Sequence, residues 1–473
     1  FAAAVAAGDY SAFKNESGEV DILNNIDFSG VTDWAGIESF DGIINGHDRY
    51  IKNLITSAPL IKTLAENGVV KNIQIDESCR FNAKAISKAA FIVVDNSGTV
   101  KDCANYAPIV FENAGADITS AVNIGAIVAN NAATAVVDHC SNTGNITIKW
   151  TDAQSQAVYA GGVVGYTKAG ISNCQNSGAV TSDVTQTAKS VCLGGVVGCT
   201  PATKLGTGNT PPTNYGLLEG CRNFGEVYHY VGVVATGSYC NVGGVAGYWE
   251  GNVKTCSNSG KVHIATSEEN TAACCTRPAV GGVCASVLFS AENCHNTGAV
   301  SIDRGVFAAG TDGNALAGGY YQVSIGGVFG QIGIRILDSN NYIKDCHNGG
   351  KVSLNLYMKQ AGGTRSCTAG VAGYCSVIAT NCYNVGPVDA NVGHKLGNVG
   401  GVFGIIKASM TDCYNNATVT VNSRWEEADP THANAFGNQF YIGGVYGYVD
   451  NAATNDCTFT NIENRSHGTA AYH

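Results

Sequence analysis

The chain has few prolines, few charges and no long apolar run. Proline occurs 8 times in 473 residues and only 14% of residues are charged, whereas 60 are glycine. Many glycines with few prolines favour closely packed strands and tight corners over helical bundles. The longest apolar runs, such as residues 89–94, fall far short of the roughly 18 residues of a membrane span. We therefore expect no membrane span in this chain.

Basic residues are also scarce. Lys and Arg total 27 against 37 Asp and Glu, which gives a formal charge of −10 at pH 7. A nucleic-acid partner is disfavoured because phosphate binding depends on clustered Lys and Arg. The 45% of apolar residues still predicts a folded chain. Residues 1–8 contain neither a Met nor a charged leader, so no intact signal segment is expected here.

Motifs for catalysis and metal binding are missing from the sequence. It contains no Gly-x-Ser-x-Gly motif, no P-loop and no calcium-binding nonapeptide repeat. It also lacks a Cys-x-x-Cys pair and a histidine at ligand spacing from the cysteines. We therefore predict no cofactor, no metal site and no catalytic residues.

What the sequence does contain is a repeat. A Gly-Gly-Val block begins at Gly161 and again at Gly243, and a cysteine follows each of them 13 residues later, at Cys174 and Cys256. Most of these cysteines are followed by Asn at the second position and Gly at the fourth, and a Val or Ile comes two residues after that. The step from one cysteine to the next varies from 31 to 52 residues. Fixed units joined by variable connectors are typical of a solenoid.

The periodicity of the unit indicates strands. Segments such as 260–266 and 350–356 alternate apolar and polar residues and are rich in β-branched side chains. We predict an all-β fold, a single-stranded right-handed parallel β-helix (β-solenoid) of about ten to twelve coils over residues 20–466, with strands about 4.8 Å apart. A short N-terminal capping helix is expected within residues 1–19 and a C-terminal tail at 467–473.

The recurring cysteine is interpreted as a core residue, one per coil. The same slot accepts Leu and Ile near the N-terminus, which indicates a small apolar position. The predicted column consists of Leu54, Ile73, Cys103, Cys140, Cys174, Cys221, Cys256, Cys294, Cys346, Cys382, Cys413 and Cys457. Disulfides between coils remain an alternative, since the strand spacing permits them, and metal binding is a less favoured one.

The residues around each cysteine suggest further roles. The Asn two residues on is expected to bond its equivalents in the coils above and below. The following Gly is expected to supply a backbone position with positive φ. Tyr166, Tyr248, Tyr374 and Tyr448 share one place after the Gly-Gly-Val block, and we expect them to form a stack at an edge of the solenoid.

Three stretches carry a family resemblance: residues 161–180, 243–262 and 400–419, which read "GGVVGYTKAGISNCQNSGAV", "GGVAGYWEGNVKTCSNSGKV" and "GGVFGIIKASMTDCYNNATV". They resemble the GLUG-motif repeats of bacterial surface and secreted proteins, including segments of some IgA-cleaving metallopeptidases. The resemblance covers roughly residues 20–465 and implies a secreted or cell-surface β-solenoid. It supplies no catalytic residue, and the His-Glu-x-x-His motif of the peptidases is absent.

The two longest connectors are the candidate ligand-binding region. They separate Cys294 from Gly326 and Cys413 from Gly443, by 32 and 30 residues, and their bases should lie about 14 Å apart. The predicted groove places Asp303, Asp312, Tyr320 and Tyr321 opposite Arg424, Trp425, Glu426, Glu427, Asp429 and His432. Solvated loops without a ligand, a groove for a glycan or protein, and a carboxylate-based catalytic site all remain open.

The sequence thus favours a non-catalytic extracellular or cell-surface protein for adhesion, or for binding a glycan or a host or surface protein. The alternatives are a polysaccharide lyase or glycoside hydrolase on a β-helix scaffold and a purely structural spacer. The enzyme is less favoured because its site would need clustered carboxylates on one flank, whereas the charges of this chain are scattered.

Overall fold

The fold is known from a computed structural model, which describes residues 1–84, 86–113, 118–150, 156–184, 190–201, 213–231, 239–266, 277–305, 323–333, 340–356, 365–392, 396–423, 439–450 and 457–466. These residues form a β-solenoid of parallel strands, as the sequence predicts. Each complete coil runs through four sheets, here called D, B, A and C in chain order. The connectors that lead from sheet C to the next sheet D strand lie almost wholly outside the described residues.

The strands fall into four sheets with these bounds. Sheet D contains Lys88–Ala89, Val122–Gly125, Val158–Gly161, Ser190–Gly194, Tyr239–Gly243, Arg277–Gly281, Val323–Gly326, Arg365–Ala369, Leu396–Gly400 and Gln439–Gly443. Sheet B contains Ile37–Phe40, Ile61–Leu64, Val93–Asn96, Val128–Asn131, Val164–Thr167, Val197–Cys199, Ala246–Trp249, Cys284–Val287, Phe329–Ile332, Ala372–Cys375, Phe403–Ile406 and Tyr446–Val449. The 12 strands of sheet B correspond to twelve coils, the upper end of the predicted number.

Sheets A and C complete each coil. Sheet A contains Glu19–Asp21, Ile26–Asp27, Ile43–Lys52, Val69–Ile75, Thr99–Lys101, Ala104–Asn105, Val136–Asp138, Ser141–Asn142, Ile171–Ser172, Gln175–Asn176, Leu217–Glu219, Arg222–Asn223, Asn252–Lys254, Ser257–Asn258, Ala291–Glu292, His295–Asn296, Tyr342–Lys344, His347–Asn348, Ile378–Thr380, Tyr383–Asn384, Met410–Thr411, Tyr414–Asn415, Phe459–Thr460 and Glu463–Asn464. Sheet C contains Ile55–Thr56, Arg80–Lys84, Ile109–Asn113, Ile146–Trp150, Val180–Val184, Val227–Val231, Val262–Thr266, Val300–Gly305, Val352–Leu356, Val388–Val392 and Val419–Ser423.

The repeat places the same residue type at the same height in every coil. Val180 pairs with Val227, and Val227 with Val262, in parallel register. Their side chains are fully buried, and burying a side chain of this size contributes about 1.5–3 kcal/mol. Alternation along each strand then turns every second residue outward. The core is therefore a continuous apolar axis enclosed by the sheets.

The thiol column lies inside sheet A. The structure buries the cysteines from Cys103 to Cys413 in this column completely, without a disulfide among the described residues. Consecutive coils are joined next to the thiols, for example by the Ser141 amide, which donates to the carbonyl oxygen of Cys103 at 2.9 Å. Burial raises the pKa of the Cys103 and Cys174 thiols well above its usual range. Cys103 and Cys174 are therefore neutral packing residues rather than nucleophiles.

Two members of the predicted column lie elsewhere. Leu54 is buried, but it lies below Cys79 at the corner that leads into sheet C. The amide of Arg80, the residue after Cys79, donates to the Leu54 carbonyl oxygen and fixes this register. Cys457 is half-buried and precedes its strand by two residues. Register pairs Tyr414 with Glu463, so Ile462 occupies the last slot above Cys413. Both predictions were wrong because a local motif does not report which residues pair between coils.

The corner asparagines form one hydrogen-bonded ladder, as predicted. It runs through Asn105, Asn142, Asn176, Asn223, Asn258, Asn296, Asn348, Asn384, Asn415 and Asn464. Each of the first nine donates through Nδ2 to the Oδ1 of the next coil at 2.7–3.2 Å, and also to the carbonyl oxygen two residues ahead in its own coil. Amides that would be costly to bury unpaired are thereby satisfied.

The glycine that follows each corner asparagine has a different role from the predicted one. Positive φ occurs instead at the residue before each column position, for example Asp102 at 55° and Asn461 at 52°. Asn and Asp tolerate this left-handed conformation better than most residues. Gly178 is needed because a Cβ there would overlap the Gly144 carbonyl oxygen in the coil below. Similarly, a Cβ at Gly162 would overlap the corner amide of its own coil.

The four tyrosines after the Gly-Gly-Val block do not stack on one another. They share one column of sheet B, but other residues intervene, such as Cys199 between Tyr166 and Tyr248. Tyr166 stacks instead on Tyr159 of sheet D, with ring centroids 5.6 Å apart. This tyrosine column of sheet B faces sheet D across the Gly-Gly corner. A tyrosine in it therefore stacks on a sheet D residue of its own coil rather than on the tyrosine of another coil.

The N-terminal segment packs on the first coils. A five-residue helix, Ala2–Ala6, is followed by a 3-10 turn, Ser11–Phe13. The Phe1 and Tyr10 rings contact Phe40 of sheet B, with centroids 6.0 and 5.4 Å apart. These aromatic contacts cover an end of the apolar axis that would otherwise face water.

Candidate functional site

Most of the predicted groove lies outside the described residues. This applies to Asp312, Tyr320, Tyr321, Arg424, Trp425, Glu426, Glu427, Asp429 and His432, and also to the predicted tail 467–473. Only Asp303 of the groove falls within a described strand, Val300–Gly305 of sheet C.

Asp303 is held in a polar cluster on the outer face of sheet C. Its Oδ2 lies 2.8 Å from His263 Nδ1 and 3.5 Å from Lys261 Nζ, while Glu226 Oε1 lies 2.9 Å from His263 Nε2. The Tyr228 ring stacks on the imidazole at 4.2 Å. Both ring nitrogens donate to these carboxylates only when the imidazole is doubly protonated.

The electrostatics of this cluster are those of a structural ion pair. Burial acts to raise the pKa of Asp303, but the neighbouring hydrogen bonds and positive charges, of which the hydrogen bond from His263 is the largest, together outweigh burial and hold the pKa at about 2. A carboxylate with this pKa stays ionised at neutral pH and does not serve as a general acid. The cluster therefore ties three neighbouring strands of sheet C together.

Within the described residues, an open cleft at the corner between sheets A and C is a candidate binding site. Its volume is about 540 Å³, and it is lined by Asp76, Glu77, Ser78, Arg80, Tyr106, Pro108, Thr143, Gly144 and Asn145. It arises because successive corners differ in length. Five residues, 76–80, connect Ile75 to Phe81, whereas three, 106–108, connect their register partners Asn105 and Ile109. The longer corner projects and leaves a recess beside the shorter corners of the next two coils.

Internal hydrogen bonds hold the long corner in shape. The Ser78 amide donates to Asp76 Oδ1 at 3.0 Å, and the Ser78 side chain and amide together lower the pKa of Asp76. Arg80 Nη1 donates to the carbonyl oxygens of Glu77 and Cys79, both at 2.7 Å. The Asp76 carboxylate is thus fixed and charged, and part of the guanidinium is engaged by its own corner.

The opposite wall of the cleft carries an aromatic ring and an amide. Tyr106 is 37% exposed, and its ring packs at a tilt against Tyr50, with centroids 6.2 Å apart. Burial and the proximity of Tyr50 and Asp48 raise the pKa of Tyr106, so its hydroxyl remains a donor. Asn145 Oδ1 accepts the Ala179 amide at 2.9 Å, which orients the side chain. The cleft therefore combines an exposed ring with charged and amide groups.

A second surface feature escaped the sequence analysis: a ladder of rings on the outer face of sheet A. Its members are His295, His347, Tyr383 and Tyr414, each placed directly after a column cysteine. Their centroids are 5.2, 4.7 and 4.9 Å apart and neighbouring planes differ by 5° or less. The Arg465 guanidinium covers the last ring at 4.0 Å. Ring faces cover one another, so the ladder offers edges rather than a flat platform.

Comparison of the chain with protein-family models, curated proteins and solved structures finds no match. Among the described residues, no helix is long and apolar enough to cross a membrane. In the same part of the chain, no group of three or more His, Cys, Asp or Glu is placed to hold a metal ion.

Proposed function

We propose that this chain is a non-catalytic β-solenoid that binds a carbohydrate in the corner cleft. The observation that carries the proposal is the exposed Tyr106 ring, which shares the cleft with the carboxylates of Asp76 and Glu77 and the amide of Asn145. An aromatic ring offers an apolar face to the C–H groups of a sugar and a hydroxyl as donor. Fixed carboxylate and amide oxygens accept from sugar hydroxyls.

The charge of the cleft narrows the class of sugar. Asp76 and Glu77 contribute two negative charges, against one positive charge from Arg80, and the whole chain has a formal net charge of −10. A polyuronate would be repelled by this field, whereas neutral sugars and amino sugars would not. A location outside the cell or at its surface, in a bacterium, is proposed from the resemblance to GLUG-motif repeats.

Binding is favoured over catalysis by the behaviour of the carboxylates. A glycosidase needs one carboxylic acid with a raised pKa to protonate the leaving group. In the described part of the chain, the carboxyl groups whose pKa clearly departs from its usual value all have a lowered one: Asp9, Asp21, Asp27, Asp76, Asp138 and Asp303. The general acid of such a mechanism therefore has no candidate among them.

A glycan array with the Tyr106→Ala variant tests the proposal. We expect the wild type to bind neutral or amino sugars, and the variant to lose about tenfold in affinity, equivalent to about 1.4 kcal/mol, because ring contacts of this kind contribute about that much. Tyr342→Ala is the matched control, since Tyr342 is a similarly exposed tyrosine (38%) of sheet A in another coil. Equal affinity of wild type and Tyr106→Ala, or release of reducing sugar by the wild type, would contradict the proposal.

A further inference from the structure

The histidine end of the ring ladder has features that the carbohydrate proposal does not use. His295 and His347 are direct register partners on adjacent parallel strands of sheet A. Their rings lie 5.2 Å apart and are parallel within 5°. Both side chains are half-buried on the outer face. Two imidazoles are thus held side by side at the surface by backbone pairing alone.

The ring nitrogens of this pair remain available. Within the described residues, no side-chain hydrogen bond or ion pair engages either imidazole, in contrast to His263, whose two nitrogens both contact carboxylates. A neutral imidazole with an unengaged ring nitrogen is the form of histidine that binds metals.

From this arrangement we propose that His295 and His347 together bind one divalent transition-metal ion of the Cu(II), Ni(II) or Zn(II) type. Imidazole nitrogen suits these ions, and Cu(II) binds most tightly in the series. Two protein ligands leave the other coordination positions to water, so the site is open.

Metal binding requires the two rings to leave their parallel stack. The ring planes are parallel within 5°, so the in-plane lone pairs of the two imidazoles do not converge on one ion in the stacked arrangement. A metal–nitrogen bond of about 2.0–2.1 Å limits the separation of the two ligating nitrogens to about 4.2 Å, so the rings must turn until one nitrogen of each points at the same ion. Rotation about the χ2 angle of histidine is soft enough to allow this. Metal binding therefore competes with the parallel stack but leaves the strands in register.

The proposal is tested by titrating the whole chain with Cu(II) and recording electron paramagnetic resonance spectra. The wild type should bind one ion with two nitrogens in its coordination sphere. In His347→Tyr and in His295→Tyr, affinity at this site should fall about 100-fold, the lower range of the gain from linking two ligands, and the two-nitrogen signal should vanish. Tyrosine already occupies the equivalent place at Tyr383 and Tyr414, so the ladder remains stacked in these variants.

Two controls make the result decisive. His139→Asn removes a histidine that lies between two strands of sheet A and is already bonded to Asp138 at 2.7 Å, and it should leave the two-nitrogen signal unchanged. Circular dichroism should show the same β content in all variants. A wild type that lacks the two-nitrogen signal, or a signal that persists in His347→Tyr, would overturn the proposal. Neither result would affect the sugar-binding test at Tyr106.

Discussion

The Asn258→Ala substitution tests the structural role of the corner ladder. Asn258 Nδ2 donates to the Gly260 carbonyl and to Asn296 Oδ1, both at 2.8 Å, and its Oδ1 accepts from Asn223 Nδ2 at 2.7 Å. The residue is 1% exposed. The substitution thus removes three buried hydrogen bonds in the middle of the solenoid.

The expected loss of stability follows from what each partner retains. Asn223 keeps its bond to the Gly225 carbonyl, and Asn296 Oδ1 still accepts the Gly298 amide at 3.2 Å. Their losses should therefore lie near 1 kcal/mol each, the lower range for a buried group left without its partner. The Gly260 carbonyl loses its side-chain donor at a similar cost. The total is about 3 kcal/mol, or roughly 100-fold in a local opening equilibrium.

Hydrogen exchange is the appropriate assay because a long repeat array need not unfold in two states. In Asn258→Ala, exchange of the Ser259 and Thr297 amides, which bond the coils below, should accelerate roughly 100-fold. The distant Thr143 amide should not change. Ser257→Ala, an outward-facing change one residue away, is the control. Equal exchange rates in Asn258→Ala and Ser257→Ala would refute the role of the ladder.

Two further predictions concern the thiols and Asp303. Under native conditions, iodoacetamide should leave Cys174 and Cys256 unmodified while the half-buried Cys457 reacts; peptide mapping that finds Cys256 labelled as fast as Cys457 would contradict burial of the column. Asp303→Asn should lower the free energy of local unfolding by about 1 kcal/mol at pH 6. The lowering of the Asp303 pKa from 3.8 to about 2 corresponds to roughly 2.4 kcal/mol. We reduce this figure because 43% of the side chain is exposed and solvent screens the interaction. This stabilisation is present above the unfolded-state pKa and is lost as pH falls through the folded-state value. The difference between wild type and variant in the local opening free energy of sheet C, measured by hydrogen exchange, should therefore shrink between about pH 4 and pH 2; an unchanged difference at pH 2 would contradict the assignment.

The sequence by itself determined the path of the chain in one coil and which of its residues face the core. The 13-residue distance from Gly161 to Cys174 recurs through the chain, and alternation assigns the cysteine to the core and the next residue to water. The ladder of corner amides also follows from sequence, because a polar residue repeated at a buried corner must find its partner in the adjacent coil. Such inferences need only local periodicity and the certainty that identical coils stack.

Only the tertiary structure decided which residues of different coils meet. Leu54 and Cys457 fit the local motif but miss the column, since register depends on corner lengths outside the motif. The cleft beside Tyr106 exists because one corner is two residues longer than the next. His295 and His347 are 52 residues apart in the chain, and parallel pairing alone places their rings together. Local pattern fixes the path of one coil, whereas contacts between coils depend on the lengths of segments that carry no pattern.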